Sequence, residues 1–499
     1  MYRVSLLKKV RKISSSTQRG VTGEDFTINS EGRSAEQRQK ILKLLYKDKE
    51  QNSRRYLGYQ LTVREDYTEL LDYLNIDTSY LGDPFIIGDS NLNTKIVEQK
   101  LLEYYAQLWN AKINPNYDFK DEEAYWGYVL SMGSTEGNMY ALYNARDYLE
   151  GNPLIVDSSV HKNSELKDPV IFYSQETHYS IIKCCSVLKL KTMQQLGNGL
   201  YPEECPFSEK WPASIPSDED GSIDVKSLTM AADFFSKRGH PVIVNFNLGT
   251  TFKGGFDQVP KASESVLEVL HKNNMFQVSL GGSYRNGYWF HIDGALGAGY
   301  LPYLEKAAGY GMYCLPKEFP DFDFRKDCIQ SIVASGHKWT GAPWPCGIYM
   351  TKNKYRLLPP SNPTYTGSLD STFSGSRNGA SPLVMWDFHS KYSEEDKARM
   401  AANCVQTAES LDEKLHRVEE QLGYSIQVRH SPMSLAVRFL RPKKEIMEKY
   451  SLCQDYEKVN GKWEEFTHVY CMRHVTSEVL EELCEDLTKH PNPFPSVNN

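Results

Sequence analysis

The sequence predicts an α/β protein, with a large domain built on a mainly parallel β-sheet and a small C-terminal α+β domain. Three observations predict this fold class. Short apolar segments alternate with helical ones between about residues 125 and 352, as in sheets whose strands are buried on both faces. Polar motifs follow several of these strands. From about residue 380 a long helix, two strands and a final helix follow, which is typical of an α+β domain.

Six apolar segments have the length and composition of buried strands. In chain order they are YWGYVLS, PVIFYS, PVIVNFNL, YWFHI, QSIVAS and CGIYMTK. The motifs GSTEGN, GTT, DGA and GHK follow four of them. Because ligands of parallel sheets bind at the carboxyl ends of the strands, we expect these motifs to line one edge of the sheet.

Helices and loops are predicted around this alternating region. Residues 35–50 and 93–110 have helical patterns. Two irregular stretches, residues 196–222 and 303–327, are predicted to be long surface loops or insertions, since loops of such length are usually functional lids or mobile segments.

The composition excludes several classes of protein. The 499 residues carry a net charge of −7, which argues against nucleic acid as the main partner. No apolar run reaches the roughly 18 residues that a membrane span needs. The ten cysteines are scattered without a CxxC pair, so no metal site is predicted and free thiols in a reducing compartment are favoured.

The amino terminus, MYRVSLLKKVRKISSSTQRGVTG, is basic, rich in serine and free of acids. Such a composition is typical of an organelle transit peptide, and it is equally compatible with a tail on a cytoplasmic protein. We predict a cytoplasmic location, with an organelle as the alternative.

The motif GSTEGN, residues 133–138, lies between a predicted strand and a predicted helix. The backbone amides and hydroxyls of Ser134 and Thr135 would open that helix, and a helix N-terminus with free N–H groups binds phosphate. An ordinary N-cap at Thr135 is the alternative.

Three further residues follow predicted strands. Lys338 comes after QSIVAS, where burial would make its amine nucleophilic, although it could be a surface lysine. Asp293 ends the strand YWFHI and needs a partner if buried, but it could cap a turn. His178, at a strand-to-helix junction, could be catalytic or a capping residue. Together these residues predict a ligand with a phosphate, a basic ring nitrogen and an aldehyde, which is pyridoxal 5′-phosphate (PLP).

The motifs resemble those of the group II PLP-dependent amino acid decarboxylases. SGHKW, HIDGA, GTT, GSTEGN and ETHYS occur in that family's order, from about residue 55 to the carboxyl end. The resemblance is greatest to the branch with plant serine decarboxylase and bacterial histidine decarboxylase, because LGYQ…LGDPF is similar to its LGYP…LGDPF segment and TFSGSRNGASP to its GSRNG motif. It implies the PLP-dependent transferase fold type I, which is aspartate aminotransferase-like, with a seven-stranded sheet.

The resemblance implies a role for each motif residue. Lys338 would bind PLP covalently, Asp293 would pair with the ring nitrogen, and Ala295 and His178 would contact opposite faces of the ring. The remaining cofactor contacts are implied for Ser134, Thr135, Ser335 and His337 at the phosphate, Thr251 near the ring oxygen, and Ser374 and Gly375 at the phosphate from a partner chain.

The substrate side of the site is implied in the same way. Tyr365 is similar in position to the family's loop tyrosine, which returns a proton to Cα after CO2 leaves. The LGDPF segment is implied to line the substrate pocket through Leu81, Asp83, Pro84 and Phe85.

The resemblance also implies an obligate homodimer with active sites at the subunit interface, and it suggests domain boundaries. These are a basic tail (1–34), a dimerisation and substrate segment (35–92), a large PLP-binding domain (93–352), a catalytic loop and partner-contact segment (353–382) and the small C-terminal domain (383–499).

The predicted reaction is the decarboxylation of an L-amino acid to its amine and CO2. Histidine and serine are the first expected substrates, with methionine and aromatic amino acids as alternatives. An aldehyde synthase that uses the same cofactor and a non-catalytic relative stay open as alternative functions. The presence of Tyr365 and His178 favours amine formation, and the presence of Lys338 and Asp293 favours an enzyme.

Overall fold

The computed structural model describes most of the chain. The described residues are 22–159, 166–208, 210–280, 283–361, 364–459, 461–490 and 492–494. The interpretation of the amino terminus as a transit peptide or tail falls largely on residues 1–21, which lie outside this set. Within the described ranges, no helix combines the length and apolarity required to cross a membrane.

The strands lie largely where apolar segments predicted them, with several additional short ones. In chain order they are β1 (Tyr125–Leu130), β2 (Val170–Tyr173), β3 (Lys191–Thr192), β4 (Val242–Asn247), β5 (Gln277–Leu280), β6 (Ser283–Asn286), β7 (Tyr288–Asp293), β8 (Ser331–Ser335), β9 (Gly347–Lys352), β10 (Arg429–His430), β11 (Ala436–Leu440), β12 (Gln454–Val459) and β13 (Lys462–Tyr470).

Seven strands form the main sheet in the order β1-β9-β8-β7-β4-β2-β3, which confirms the predicted seven-stranded, mainly parallel sheet. Strand β9 runs antiparallel to both of its neighbours, and the other pairings are parallel. Every residue of β1, β4, β7, β8 and β9 is buried. The continuous apolar sequence of these strands follows from this, because both faces of the sheet are covered.

Helices alternate with the strands, as the sequence patterns predict. The α-helices are Ala35–Ser53, Lys95–Leu108, Ser134–Leu149, Tyr179–Leu188, Met193–Leu200, Val225–Ser236, Val259–Lys272, Gly297–Gly309, Ala380–Lys391, Glu394–Leu422, Lys444–Lys449 and Ser477–Lys489.

The small C-terminal α+β domain is also confirmed. Its antiparallel sheet has the order β10-β11-β13-β12. Leu411 and Leu415 of one helix and Leu483 of another share a buried core with Val437 and Phe439 of β11. This core is separate from the main one, so the domain has its own hydrophobic centre.

The prediction of surface loops at residues 196–222 and 303–327 is partly wrong. The first stretch begins inside the helix Met193–Leu200 and places Trp211 in the main core, where 2% of the side chain is exposed. The second also begins inside a helix, and Phe322 is buried. Proline and acid content predicted irregular backbone correctly, but large aromatic side chains bury apolar surface and hold the backbone against the core.

An irregular segment from Leu57 to Thr62 connects the two domains by hydrogen bonds. The N–H of Leu57 donates to the carbonyl of Tyr450, and the N–H of Tyr470 donates to the carbonyl of Leu57, at 3.1 and 2.7 Å. A few residues further on, the N–H of Thr62 donates to the carbonyl of Lys338 at 3.0 Å. The segment therefore lies against the small domain at one end and against the predicted cofactor lysine at the other.

Candidate active site

The carboxyl edge of the main sheet brings the predicted cofactor residues together. Strand β7 ends at Asp293 and β8 ends at Ser335, while the helix that follows β1 begins at Ser134. In the register of the sheet, Asp293 lies opposite Val333, two residues before Ser335. Parallel strands thus place residues from distant parts of the sequence side by side, as expected for a ligand site.

The start of the helix Ser134–Leu149 forms a cradle with the end of β8. The Ser134 and Ser335 hydroxyl oxygens are 2.7 Å apart, and the Ser134 N–H donates to the Ser335 hydroxyl at 3.3 Å. Gly133 has a φ of 68°, and a Cβ there would lie 2.7 Å from the His337 ring. Thr135 follows in the first helical turn. The glycine is therefore required, and the N–H groups and hydroxyls around it suit a phosphate.

Asp293 is buried and held by two donors. The Asn138 side-chain amide donates to one carboxylate oxygen at 2.8 Å, and the N–H of Ala295 donates to the other at 3.2 Å. The Asn138 carbonyl oxygen is 2.9 Å from Nε2 of His291, whose Nδ1 is 2.8 Å from the Ser331 hydroxyl. Burial lowers the pKa of His291 to about 4, so this ring is neutral and fixes Asn138 in one orientation.

Lys338 lies in the turn after β8. Its Nζ donates to Oε1 of Gln60 at 2.6 Å. Burial lowers the pKa of Lys338 to about 8, and the negative charge of Asp293 opposes this effect. Near neutral pH a larger fraction of this amine is neutral than in an exposed lysine, which makes it a better nucleophile.

The backbone of the lysine turn is held from outside the sheet. The carbonyl of Trp339 accepts from the Thr62 hydroxyl at 3.1 Å and from Nε of Arg473 at 2.8 Å. A second guanidinium nitrogen of Arg473 donates to the carbonyl of Thr340 at 2.9 Å. Two segments far away in the sequence thus restrain the position of Lys338.

His178 is both a capping residue and a neighbour of the site. Its Nδ1 lies 2.7 Å from the Ser180 hydroxyl and caps the helix Tyr179–Leu188. Burial lowers the pKa of His178, while the charge of Asp293 raises it and that of Lys338 lowers it further. The charges of Asp293 and Lys338 therefore both affect the pKa of this ring.

His337 lies beside the phosphate cradle. Its Nδ1 is 3.3 Å from the carbonyl oxygen of Cys346. Burial and the neighbouring charge of Lys338 lower the pKa of His337 to about 4. The ring is therefore neutral, its Nδ1–H donates to the Cys346 carbonyl, and it contributes shape to the cradle rather than charge.

Two predicted residues, Thr251 and Tyr365, are exposed in the single chain. The side chain of Thr251 is exposed, and its carbonyl accepts from the Tyr470 hydroxyl at 3.0 Å. Tyr365 lies in the 3₁₀ turn Thr364–Thr366 with 75% of its surface exposed. The ring-oxygen contact of Thr251 and the catalytic role of Tyr365 stay predictions.

The GSRNG-like segment lies close to the phosphate cradle of its own chain. The Ser374 hydroxyl donates to a carboxylate oxygen of Glu136 at 3.4 Å, in the first turn of the helix Ser134–Leu149. Gly375 is exposed. A phosphate contact from these two residues, in one subunit or across two, stays a prediction.

The LGDPF segment lies near the start of β1, at the end of that strand away from the cradle. Asp83 is 1% exposed and pairs with Arg356. It also accepts from Nε1 of Trp126 at 3.1 Å and from the Ser371 hydroxyl at 3.0 Å. In this chain Asp83 is thus part of a buried ion pair, and substrate contacts of Leu81, Asp83, Pro84 and Phe85 stay predictions.

Sequence reasoning missed three residues of this site. Asn138 is the last residue of GSTEGN, one helical turn after Ser134, and His291 shares a strand face with Asp293 two residues later, so helical and strand periodicity could have found both. Gln60 stands in LGYQ, where the resembling segment has LGYP. That departure was a visible signal of a different side chain in the site.

The side chains at this edge fit PLP. The cradle of Gly133, Ser134 and Ser335 suits its phosphate, the Asp293 carboxylate suits its ring nitrogen, and the Lys338 amine suits its aldehyde. A buried carboxylate with two donors and a lysine of lowered pKa suit such a cofactor.

Comparison with known proteins agrees with this geometry. The model of the pyridoxal-dependent decarboxylase conserved domain matches residues 89–422. The chain is 27% identical to serine decarboxylase 2 of Oryza sativa subsp. japonica, over 87% of this chain and 74% of that protein. It is 31% identical to histidine decarboxylase of Mesorhizobium japonicum, over 70% of this chain and 74% of the relative.

The fold is also that of a solved decarboxylase. L-methionine decarboxylase from Streptomyces sp. 590, in its internal aldimine form, superposes with a TM-score of 0.90 and 39% identity, over 95% of this chain and 99% of that one. The family match, the relatives and the geometry of the sheet edge agree, and the chain belongs to the pyridoxal-dependent decarboxylases.

Proposed function

We propose that this PLP-dependent amino acid decarboxylase acts on L-methionine and forms 3-(methylthio)propylamine and CO2. The observation that carries the proposal is the 39% identity to a methionine decarboxylase along nearly the whole of both chains. The serine and histidine decarboxylases cited above are 27% and 31% identical. Methionine thus moves ahead of histidine and serine, the substrates that the sequence motifs favoured.

The contact between Gln60 and Lys338 supports this order. Gln60 Oε1 is 2.6 Å from the lysine amine, so its side chain forms part of the wall beside the reacting group. The serine and histidine branch that the sequence resembles has proline in the corresponding LGYP motif, and a proline side chain cannot make this hydrogen bond. The wall of this site therefore differs from that branch at the lysine itself.

Each site residue has a proposed task. When bound, PLP accepts the electron pair released as the Cα–carboxylate bond breaks. The Asp293 carboxylate keeps a proton on the ring nitrogen, the His178 ring covers one face of the site, and the cradle at Ser134 and Ser335 binds the phosphate. The Lys338 amine would hold the cofactor through its aldehyde.

Tyr365 is the proposed proton donor to Cα. Its 75% exposure in a single chain means that its hydroxyl is available to a second subunit or to a substrate arriving from solvent. The presence of Tyr365 together with His178 favours amine formation over the aldehyde synthase alternative.

A homodimer is part of the proposal. Residues 35–92 and 353–382, the segments assigned to partner contacts, carry many exposed apolar side chains. These are Leu42, Leu44, Tyr46, Tyr59, Leu71, Tyr73, Leu74, Ile76, Ile86, Ile87, Leu92, Leu358, Tyr365 and Phe373. A second copy of the chain would remove this apolar surface from water.

A substrate panel tests the proposal. The purified enzyme with PLP is given L-methionine, L-histidine, L-serine and L-phenylalanine separately, and the amine and CO2 are measured. We expect the highest kcat/KM for methionine. Amine formation from histidine or serine at a higher kcat/KM would contradict the proposed substrate while leaving the family assignment intact.

A further inference from the structure

A line of hydrogen bonds joins the reactive lysine to the small domain. Nζ of Lys338 donates to Oε1 of Gln60 at 2.6 Å, and Nε2 of Gln60 donates to the Tyr470 hydroxyl at 2.6 Å. That hydroxyl lies 3.2 and 3.0 Å from the carbonyl oxygens of Thr250 and Thr251. Tyr470 is 1% exposed and Gln60 is 7% exposed, so water cannot easily replace these partners.

The chemistry of the groups determines which is the donor and which the acceptor in each of these hydrogen bonds. A backbone carbonyl only accepts, so the single hydroxyl proton of Tyr470 is directed to Thr250 or Thr251. The lone pairs of the hydroxyl then face Gln60, which must present its NH2 group there. Its carbonyl oxygen is left for Lys338, whose charged amine can only donate.

The flipped amide is unfavourable at both ends. If the NH2 group of Gln60 faced Lys338, two donors would meet beside a charged amine. Tyr470 would then have to donate to Gln60, and the carbonyl of Thr251 would lose this donor, while the carbonyl of Thr250 would keep the N–H of Gly254 at 2.9 Å. The contact between the NH2 group and the charged amine of Lys338 is the more unfavourable of the two, so the orientation with the carbonyl oxygen toward Lys338 is preferred.

We propose that Tyr470 is a positioning residue that fixes the amide of Gln60 with its carbonyl oxygen toward the Lys338 amine. Through this contact the small domain sets the hydrogen-bond partner of the reactive group in the large domain. The inference rests on the lysine of the decarboxylase family and not on the choice of methionine as substrate.

The fixed oxygen favours a proton on Nζ. An acceptor 2.6 Å away stabilises the ammonium form, whereas a flipped amide would repel it. Loss of the Tyr470 hydroxyl should therefore act on the lysine even though the two side chains do not touch. A tyrosine with a merely structural role would change the stability of the protein and leave the lysine unchanged.

Trace acetylation of the PLP-free protein measures this effect. The protein reacts with acetic anhydride at pH values from about 6 to 10, a range that covers the titration of a perturbed lysine, and mass spectrometry of the peptide with Lys338 gives the midpoint. We expect Tyr470→Phe and Gln60→Met each to lower the midpoint by about one pH unit. The double variant should lower it no further than either single variant.

Two companion variants sharpen the test. In Gln60→Glu both side-chain oxygens accept, so orientation no longer matters. The acetylation midpoint of Lys338 should be higher in Gln60→Glu than in the wild type. Adding Tyr470→Phe to Gln60→Glu should not change it further. Tyr450→Phe is the matched control, because this buried tyrosine of the same domain donates to Asp486 at 2.8 Å, far from Gln60, and it should leave the midpoint as in the wild type.

Three results would overturn the proposal. The first is an acetylation midpoint of Lys338 in Tyr470→Phe that equals the wild-type value. The second is a shift in the double variant of Tyr470→Phe and Gln60→Met that equals the sum of the two single shifts. The third is that Tyr470→Phe lowers the midpoint as much in the Gln60→Glu protein as in the wild type. Phenylalanine keeps the ring beside His468, 4.9 Å between centroids, so folding should survive. If it does not, Gln60→Met must lower the midpoint and Gln60→Glu must raise it, and an unchanged midpoint in either one contradicts the proposed acceptor.

Discussion

The two sides of Lys338 are built in different ways. On one side, the cofactor edge consists of Ser134, Ser335 and Asp293, each of which ends a strand or begins a helix. On the other side, Gln60 and Arg473 reach the lysine turn from the N-terminal segment and the small domain. The first side is recognisable from short motifs. The second arises only when the domains pack together.

The two sides of Lys338 should therefore have different roles. Groups at the sheet edge are proposed to supply charge and hydrogen bonds to the cofactor, so changes there should affect the chemistry directly. Groups on the domain side hold the backbone and the hydrogen-bond partner of the lysine, so changes there should act through position and stability. Four predictions follow in order of decreasing effect.

Asp293→Asn should have the largest effect, because it removes a charge at the cofactor edge while keeping the shape. We expect kcat to fall by about 10²–10³-fold, the usual scale for a lost electrostatic group, with little change in unfolding temperature. Steady-state amine formation and a thermal melt measure the two quantities. Asp323→Asn is the control, since this buried aspartate pairs with Asn110 and Arg325 instead, and equal losses of kcat in both would refute the assigned role.

Tyr365→Phe tests a residue that neither side of the lysine accounts for within one chain. We expect amine formation to fall by about 10²-fold, the scale of a lost general acid, with aldehyde and ammonia among the products. Tyr284→Phe is the matched control, because Tyr284 is also 75% exposed and lies on a distant hairpin. Unchanged amine output in Tyr365→Phe would remove this tyrosine from the mechanism.

Arg473→Met tests the domain side. It removes the donors to the carbonyls of Trp339 and Thr340 and the ion pair with Glu65 at 2.8 Å, while Glu65 keeps the Tyr392 hydroxyl at 2.9 Å. We expect the free energy of unfolding to fall by about 2–3 kcal/mol, the scale of lost hydrogen bonds to a charged group, and kcat by about tenfold through misplacement of the lysine.

Urea unfolding and steady-state kinetics measure these two changes. Arg399→Met, which removes an exposed ion pair with Glu395, should change neither quantity appreciably. A drop in stability with an unchanged kcat would show that Arg473 does not position the lysine.

The smallest expected effect is on the pH dependence of stability. One buried histidine contributes to it on each side of the lysine, His291 in the main sheet and His468 in the small domain. Burial lowers the pKa of His291 and of His468 to about 4, whereas an unfolded histidine titrates near about 6.5. Below pH 6.5 the unfolded chain binds protons that the folded chain does not bind. Stability is therefore complete above that pH and is lost as the pH falls toward 4.

Each of these histidines should cost about 2 kcal/mol of unfolding free energy at pH 5. Urea unfolding at pH 7 and pH 5 measures the slope, and either His291→Gln or His468→Gln should flatten it. His291→Gln should also slow decarboxylation, because His291 holds Asn138 against Asp293, while His468→Gln should affect the slope alone. An equal loss of kcat in both would contradict the division between the two regions.

The sequence predicted the sheet correctly, and the structure brings Ser134, Asp293 and Lys338 to one edge of it. Strands buried on both faces are continuous apolar runs, and the motifs GSTEGN, HIDGA and SGHKW adjoin them. Local order therefore determines where Ser134, Asp293 and Lys338 lie. It did not predict that Trp211 would be buried from a proline-rich loop, because the sequence of a loop does not show which core it covers.

Local sequence is enough to predict the parallel sheet and the positions of the cradle, of Asp293 and of Lys338, since each lies within a few residues of a strand end. The side chains around the lysine depend instead on tertiary packing. Gln60 lies 278 residues from Lys338, and Tyr470 lies 410 residues from Gln60. No local sequence pattern predicts contacts over such separations, because the packing of two domains and one irregular segment brings these groups together.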